Sequence, residues 1–251
     1  MTVTFLAHSG FLVEWEKFYT LFDFYQGELP PLKAEKPLLV FASHRHSDHF
    51  DPRIFKLTHP DTRFFLSRDI SIARRHWEKL GLTEEVFARC TAVRPDELLL
   101  TEAGGEEVGI RTVKSTDIGV AFLLRSEGRM VYHAGDLNWW HWDSEGKGYC
   151  ENMRRAFLAA MDKLSAAVRD EAADTGIEPA LTLAMLPLDH RLEDAYAMGV
   201  NELLARIPTR HVLPMHMWGR FELAQRYCAE FPQHAGQLLA IERDGQCFTL
   251  E

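Results

Sequence analysis

The chain has 251 residues, of which 46% are hydrophobic and 26% charged, and its net charge is −9. That length carries a packed core, and the composition is that of an ordinary globular protein rather than a disordered one. The acidic balance, with no run of Lys and Arg, argues against a nucleic-acid binder, which needs a basic surface to neutralise phosphates.

The opening stretch MTVTFLAHSGFLVEWEKF alternates apolar and polar residues and lacks the basic lead and apolar core of a signal peptide. No segment approaches the roughly 18 apolar residues of a membrane span. Cys90, Cys150, Cys228 and Cys247 are scattered and form no CxxC pair, which reads as idle thiols in a reducing cytoplasm. No repeat or linker divides the chain, so residues 1–251 read as a single domain.

In chain order, TVTFLAHS, GFLVEWE and FYTLFDF read as strands. LLVFAS at 38–43 is continuously apolar, which suits a strand buried on both faces. Asp51-Pro52 opens a helix, as N-cap and first helical residue. SRDISIARRHWEKL reads as a second helix, stopped by Gly81. RCTAVRP, ELLLT, GIRTVKS, GVAFLLRS and RMVYHAGD follow as short strands. The strongest helix is ENMRRAFLAAMDKLSAAVRDEA, where Phe157, Met161, Leu164 and Val168 form one apolar stripe. LTLAML, the helical DAYAMGVNELLARI, the strand HVLPM and a helix around FELAQRYCAEF come next. The last segment, LLAIERDGQCFTL, reads as a hairpin turning at Asp244-Gly245. Strands dominate early and alternate with helices later, which points to an α/β layered architecture.

The chemistry collects after the most apolar strands. LLVFAS runs into His44-Arg45-His46-Ser47-Asp48-His49, MVYHA into Gly135-Asp136, LTLAML into Pro187-Leu188-Asp189-His190, and HVLPM into His216. Carboxyl ends of strands line the ligand crevice in α/β sheets, so these residues are expected to share one site. Imidazole and carboxylate are the ligands that divalent zinc, iron or manganese accepts. The alternation of His44 and His46 sends both rings to one side of an extended turn. Asp48 and His49 are displaced from that pair and suit a second ion, Asp136 can bridge two ions, and His216 can complete a shell. His59, His76 and His234 read as bystanders.

HxHxDH after a buried strand, then Gly-Asp, then a late histidine, resembles the metallo-β-lactamase superfamily. The opening FLAHSGFLVEWEKFYTLFD resembles its branch of ascorbate-phosphate lactonase-like proteins. The resemblance implies a four-layer αβ/βα sandwich, two mixed sheets flanked by helices, with the metal cluster between the sheets. It also implies His44 and His46 at a first site, Asp48, His49 and His216 at a second, and Asp136 bridging. One departure stands out: the segment TVKSTDIGVAFLL lacks the further histidine that the family supplies to the first site. Ser115, Thr116, Asp117 or water must stand in. Asp117 is the best chemical substitute, but its side chain could equally cap the turn before Gly119.

The expected cofactor is one or two divalent ions per chain, zinc or else manganese or iron. Asp48 and Asp136 are the candidates for orienting the nucleophile or taking its proton. The expected function is hydrolysis of a small-molecule ester, lactone or related bond. The alternatives are a phosphodiesterase or nuclease on the same scaffold, and a non-catalytic metal-binding protein. The expected partner is a small-molecule substrate, with no nucleic acid and no membrane. The Trp139-Trp140-His141-Trp142 stretch and Met217-Trp218 read as pocket wall or as core. His8, His141 and His190 read as bystanders or supports of the site rather than ligands.

Overall fold

A computed structural model describes all 251 residues. Two mixed sheets form its frame. The first half of the chain supplies β1 (Thr2–Ala7), β2 (Gly10–Glu14), β3 (Tyr19–Phe22), β4 (Leu38–Ala42), β5 (Thr62–Ser67) and β6 (Cys90–Val93). Next come β7 (Leu98–Ala103), β8 (Glu106–Lys114), β9 (Val120–Ser126) and β10 (Arg129–His133), then β11 (Leu181–Pro187), β12 (Thr209–Met215) and β13 (Cys247–Thr249). The first sheet runs β13-β1-β2-β3-β4-β5-β6, and the second β12-β11-β10-β9-β8-β7. Hairpin-linked strands pair antiparallel, while β3 to β6 and β10 to β12 pair parallel. The expected α/β sandwich of two mixed sheets is what the chain adopts.

Strand β4 shows why the histidine cluster lies where it does. All five of its residues are buried. Leu39 and Phe41 join the large core between the sheets, while Leu38, Val40 and Ala42 join a smaller cluster on the outer face. Period-two alternation thus buries both faces of one strand, and its carboxyl end delivers Ser43 and His44 into the gap between the sheets. The small outer cluster is closed by Ile54 and Phe55 from a 3₁₀ turn (Pro52–Lys56) capped by the Asp51 side chain.

Two helical readings shift. The segment 67–80 is helical only over a 3₁₀ turn at Arg74–His76 and one α turn, α1 (Trp77–Leu80), which Gly81 ends at φ 68°. Ile70 is buried in the outer cluster, and the Trp77 indole N–H donates to the Ile72 carbonyl at 3.0 Å, so side-chain anchoring replaces the expected first turns. A second single turn, α2 (Glu84–Phe87), follows. The long helix α3 (Gly146–Thr175) exceeds its expected length and buries Phe157, Met161, Leu164 and Val168 as the periodicity predicts. It lies along β8 and touches α4 (Met198–Arg206), which covers β11. The last helix is α5 (Glu222–Glu230).

The terminal hairpin does not form. Gly245 does turn the chain, at φ 72°, but β13 pairs with β1 and not with the residues before the turn. The segment before it leaves a parallel bridge, Val212 to Leu238, at the edge of the other sheet. The Asp-Gly turn therefore hands the chain from one sheet to the other. No helix is long and apolar enough to cross a membrane.

Candidate metal centre

Eight side chains converge at the carboxyl ends of the strands as two groups of donors. His44, His46, Asp117 and Asp136 form one group, and His8, Asp48, His49 and His216 the other. Within each group the donor atoms lie within 4.8 Å of one another. All six residues expected from the sequence are among them, brought together from three separate segments. His8 and Asp117 complete the sets. His141 turns instead to Asp143 at 3.1 Å, and His190 joins neither group.

Asp136 stands between the groups. Its Oδ2 is 3.4 Å from His44 Nε2, while its Oδ1 is 3.0 Å from His49 Nε2 and 3.2 Å from His216 Nε2. His44 Nε2 and His46 Nδ1 are 3.0 Å apart, and His49 Nε2 and His216 Nε2 are 3.4 Å apart. Asp48 is nearest to His8, at 3.5 Å, then to His216 and His49. Asp117 Oδ2 lies 3.6 Å from His46 Nδ1. The turn before Gly119 is held instead by the Ser115 hydroxyl, which accepts the Asp117 backbone N–H, so the Asp117 carboxylate is left for the site.

Each inner imidazole is oriented through its far nitrogen. His49 Nδ1 donates to Asp23 Oδ2 at 2.7 Å, and His216 Nδ1 donates to Asp189 Oδ2 at 2.9 Å. His44 Nδ1 donates to the Ser43 hydroxyl, which in turn donates to Asp23 at 2.6 Å. Fixing the proton on Nδ1 leaves Nε2 as the free lone pair, the arrangement by which proteins present histidine to an ion. Asp23 and Asp189 are fully enclosed and end β3 and the turn after β11, the same kind of position as the donors themselves. Asp189 is expected at the site as a strand-end residue, though not as a support, whereas Asp23 reads from the sequence only as a turn residue. His133 lies beneath the cluster, donating from Nε2 to the Ser9 carbonyl and accepting the Gly135 N–H. It belongs to neither donor group.

The backbone is bent to deliver these side chains. Of the seven non-glycine residues with positive φ, four are His8, Asp23, His216 and Trp218. Such a conformation costs about 1–3 kcal/mol each and persists where the surrounding structure enforces it. Gly119 and Gly135 close over Ser43 and His44. A Cβ on Gly119 would meet the Ser43 carbonyl oxygen at 2.1 Å, and one on Gly135 the Ser43 Cβ at 2.7 Å. Any side chain at either position would push the β4 turn out of place.

Electrostatics keep the carboxylates charged. Burial pushes Asp136 up, but the charge of His49 and hydrogen bonds from His216, His44 and His49 outweigh it and hold the carboxyl well below its usual range. Burial pushes His49 down, yet the Asp136 charge and hydrogen bonds to Asp136 and Asp23 hold it well above the usual imidazole range. Asp136 Oδ1 and His8 Nε2 make no hydrogen bond of good geometry, only the close contacts with His49, His216 and Asp48, which depend on protonated rings. Unpaired acceptors beside crowded imidazole lone pairs are what a bound cation resolves, so the donor chemistry fits divalent ions.

A cavity of about 320 Å³ opens over the cluster. Trp140, Trp142 and Trp218 form its aromatic wall, Tyr149 and Met153 face it from α3, and Arg191 brings the one Lys or Arg side chain that lines it. Trp139 instead packs on Phe157 at 5.8 Å between ring centres, so the tryptophan stretch divides between core and pocket.

The chain is similar to known proteins in sequence and in fold. A family model described as the β-lactamase superfamily domain matches residues 2–145, a span that holds every donor except His216. A protein of Opitutus terrae named UPF0173 metal-dependent hydrolase is 27% identical over 158 residues, covering 54% of this chain and 63% of the relative, so the match spans less than two thirds of that relative's length. The fold is similar to that of Igni18, described as a novel metallo hydrolase from Ignicoccus hospitalis, with a TM-score of 0.63 at 19% identity over 100% of this chain and 99% of that one. It is similar too to CmlA, a diiron β-hydroxylase from Streptomyces venezuelae, with a TM-score of 0.57 at 12% identity over 99% of this chain and 54% of that one. An isothiocyanate hydrolase from Delia radicum gut bacteria gives a TM-score of 0.56 at 14% identity, over 100% of this chain and 99% of that one. With a family model matching more than half of its residues, the chain belongs to the metallo-β-lactamase superfamily.

Proposed function

We propose that the protein hydrolyses an ester, lactone or related bond in a small molecule, using two divalent ions held by the two donor groups. The observation that carries this reading is Asp136, whose two oxygens face different sets of imidazoles. His44, His46, Asp117 and Asp136 would hold one ion, and His8, Asp48, His49 and His216 the other, with Asp136 shared. Such ions lower the pKa of a coordinated water from near 16 toward about 7 and polarise the substrate oxygen. Asp48, half-enclosed and kept ionised by its hydrogen bond with His8 and by the charge of His49 against the opposing effect of burial, is the base that takes the proton of the attacking water. Asp136 orients the nucleophile. The tryptophan wall excludes water and receives the apolar or ring-shaped body of the substrate.

The donor sets differ in character. Three imidazoles and one carboxylate suit zinc, while two of each make a harder site that also suits manganese or iron. The four cysteines are unpaired, which supports a reducing cytoplasmic setting. The acidic chain disfavours a nucleic-acid substrate.

The test is elemental analysis of protein purified without chelators, followed by assays on nitrophenyl esters, lactones and a nitrophenyl phosphodiester. Two ions per chain with ester or lactone turnover is the expected result. Turnover of the phosphodiester alone would replace this reading with a phosphodiesterase. One tightly held ion without turnover would replace it with a non-catalytic metal protein.

A further inference from the structure

We infer that Arg191, clamped between Trp142 and Trp218, is the specificity-determining residue of the pocket and selects substrates that carry an oxyanion on a flat apolar body. This rests on the pocket being the substrate site of the hydrolase proposed above, and it adds the chemical class.

The guanidinium is built into place. Its Nε and Nη2 donate to the enclosed Asp189 carboxylate, with Nε at 2.9 and 3.0 Å from the two oxygens, and the Arg191 backbone N–H donates to the same group at 2.9 Å. Its Cζ lies 4.6 Å from the Trp218 ring centre and 5.7 Å from that of Trp142. The side chain is nonetheless 41% exposed, and it lines the cavity over the metal centre. Asp189 occupies one forked edge of the guanidinium and leaves the other edge, Nη1 with the second Nη2 proton, for a ligand. Guanidinium edges bind carboxylate and phosphate in a planar, two-point manner, which a neutral group does not match.

The surroundings favour that use. Every other charged side chain on the cavity wall is an aspartate or histidine already committed to the donor groups. Arg191 is therefore the one group on the wall that can attract a negative charge without using an ion. The two indoles that hold it offer flat apolar surface on either side, so a ligand whose anion meets Arg191 lays its body along the same walls. A purely structural Arg191 would serve only to brace Asp189, and through it His216.

The experiment separates these roles on the full-length, ion-loaded protein. Phenylacetate, phenylphosphonate and the neutral phenylacetamide are titrated by tryptophan fluorescence and calorimetry against wild type, Arg191→Gln and Arg191→Lys. The expected result is an oxyanion preference of about ten-fold or more over the amide in wild type. It is lost in Arg191→Gln and partly kept in Arg191→Lys, while amide affinity and ions per chain stay unchanged. The stronger of the two oxyanions identifies carboxylate or phosphate as the natural group. An equal preference in wild type and Arg191→Gln would overturn the inference, since the ions would then be holding the anion. No preference in wild type would also overturn it, as would loss of bound ions in Arg191→Gln, which would reduce Arg191 to a brace. An Arg191-dependent preference in a protein that binds no ions would sink the hydrolase reading and leave this one standing.

Discussion

His216 donates its Nδ1 proton to Asp189 at 2.9 Å and holds its Nε2 3.2 Å from Asp136 Oδ1, so one ring links a buried support to the shared carboxylate. The same Asp189 oxygen accepts the Trp218 indole N–H at 3.2 Å. Replacing Asp189 with Asn removes the charge that fixes this tautomer while keeping the shape. Supports of this kind are worth about 10–100-fold in ion affinity. Asp189→Asn is therefore expected to weaken one ion of the pair by that factor and leave the other unchanged, as read by competition with a chelating dye. Equal loss at both sites, or none, would contradict the separate support of the second donor group.

Asp136→Asn tests the sharing itself. The substitution is isosteric but offers only one oxygen, so it can serve one donor group and not both. The expected outcome is no hydrolysis, at most one ion per chain and an unchanged circular dichroism spectrum. His49→Ala is a poorer probe, because it leaves Asp23 buried without its imidazole and so disturbs folding together with the site.

Much of the site could be read from the chain because HRHSDH places four donors on one turn, and because Asp136 and His216 each follow an apolar run that had to be a buried strand. His8 and Asp117 were harder to read. Each is a single polar residue in a turn, and their approach to the cluster depends on how β1 and β8 lie across the gap between sheets. Asp189 could be placed at the site because it follows the apolar run LTLAML, but its role as a support could not be read, and nothing local separates Asp23 from a turn aspartate. The terminal hairpin failed for a related reason. Asp244-Gly245 is a sound turn signal, but the open edge of β1 competes for the strand that follows, and local chemistry cannot say which edge will capture it.

Ion uptake should release protons. His49 is held above the ordinary imidazole range by Asp136 and Asp23 against the effect of burial, so the ion-free protein keeps that proton at pH values where a free imidazole has lost it. Its contribution to ion-free stability is complete below the unfolded value of about 6.5 and fades as pH rises through the raised folded value. Ion entry displaces the proton, so affinity is expected to climb with pH. Calorimetric titration in buffers of different ionisation enthalpy at pH 8 should show net proton release. A buffer-independent heat would contradict it.

Away from the site, Glu171 of α3 ties the helix to the second sheet. Its buried carboxylate accepts from Arg125 at 3.0 Å and from Arg111. Glu171→Ala would leave the mostly enclosed Arg111 without a carboxylate and Arg125 with Glu107 alone. The expected cost is about 2–3 kcal/mol, lowered from the fully buried case by the solvent that still reaches both arginines. Denaturant unfolding checks it, and ions per chain should not change.

Asp117 offers the last test, because its two sequence-level readings predict opposite results. A turn cap would show up in stability, whereas a donor would show up in metal content. Ser115 already holds the turn, and the Asp117 carboxylate stands 3.6 Å from His46. Asp117→Ala is therefore expected to leave the melting temperature of the ion-free protein within about 2 °C, since exposed substitutions of this kind change stability by less than about 0.5 kcal/mol. It should remove one ion per chain at sub-saturating metal. Asp117→His should restore that ion and, by trading an anionic oxygen for an imidazole, move the preference of the first donor group from manganese or iron toward zinc. Elemental analysis after equilibration with an equimolar mixture of the three metals reads the shift directly. An unchanged ion count in Asp117→Ala, together with a fall in melting temperature, would return Asp117 to the turn.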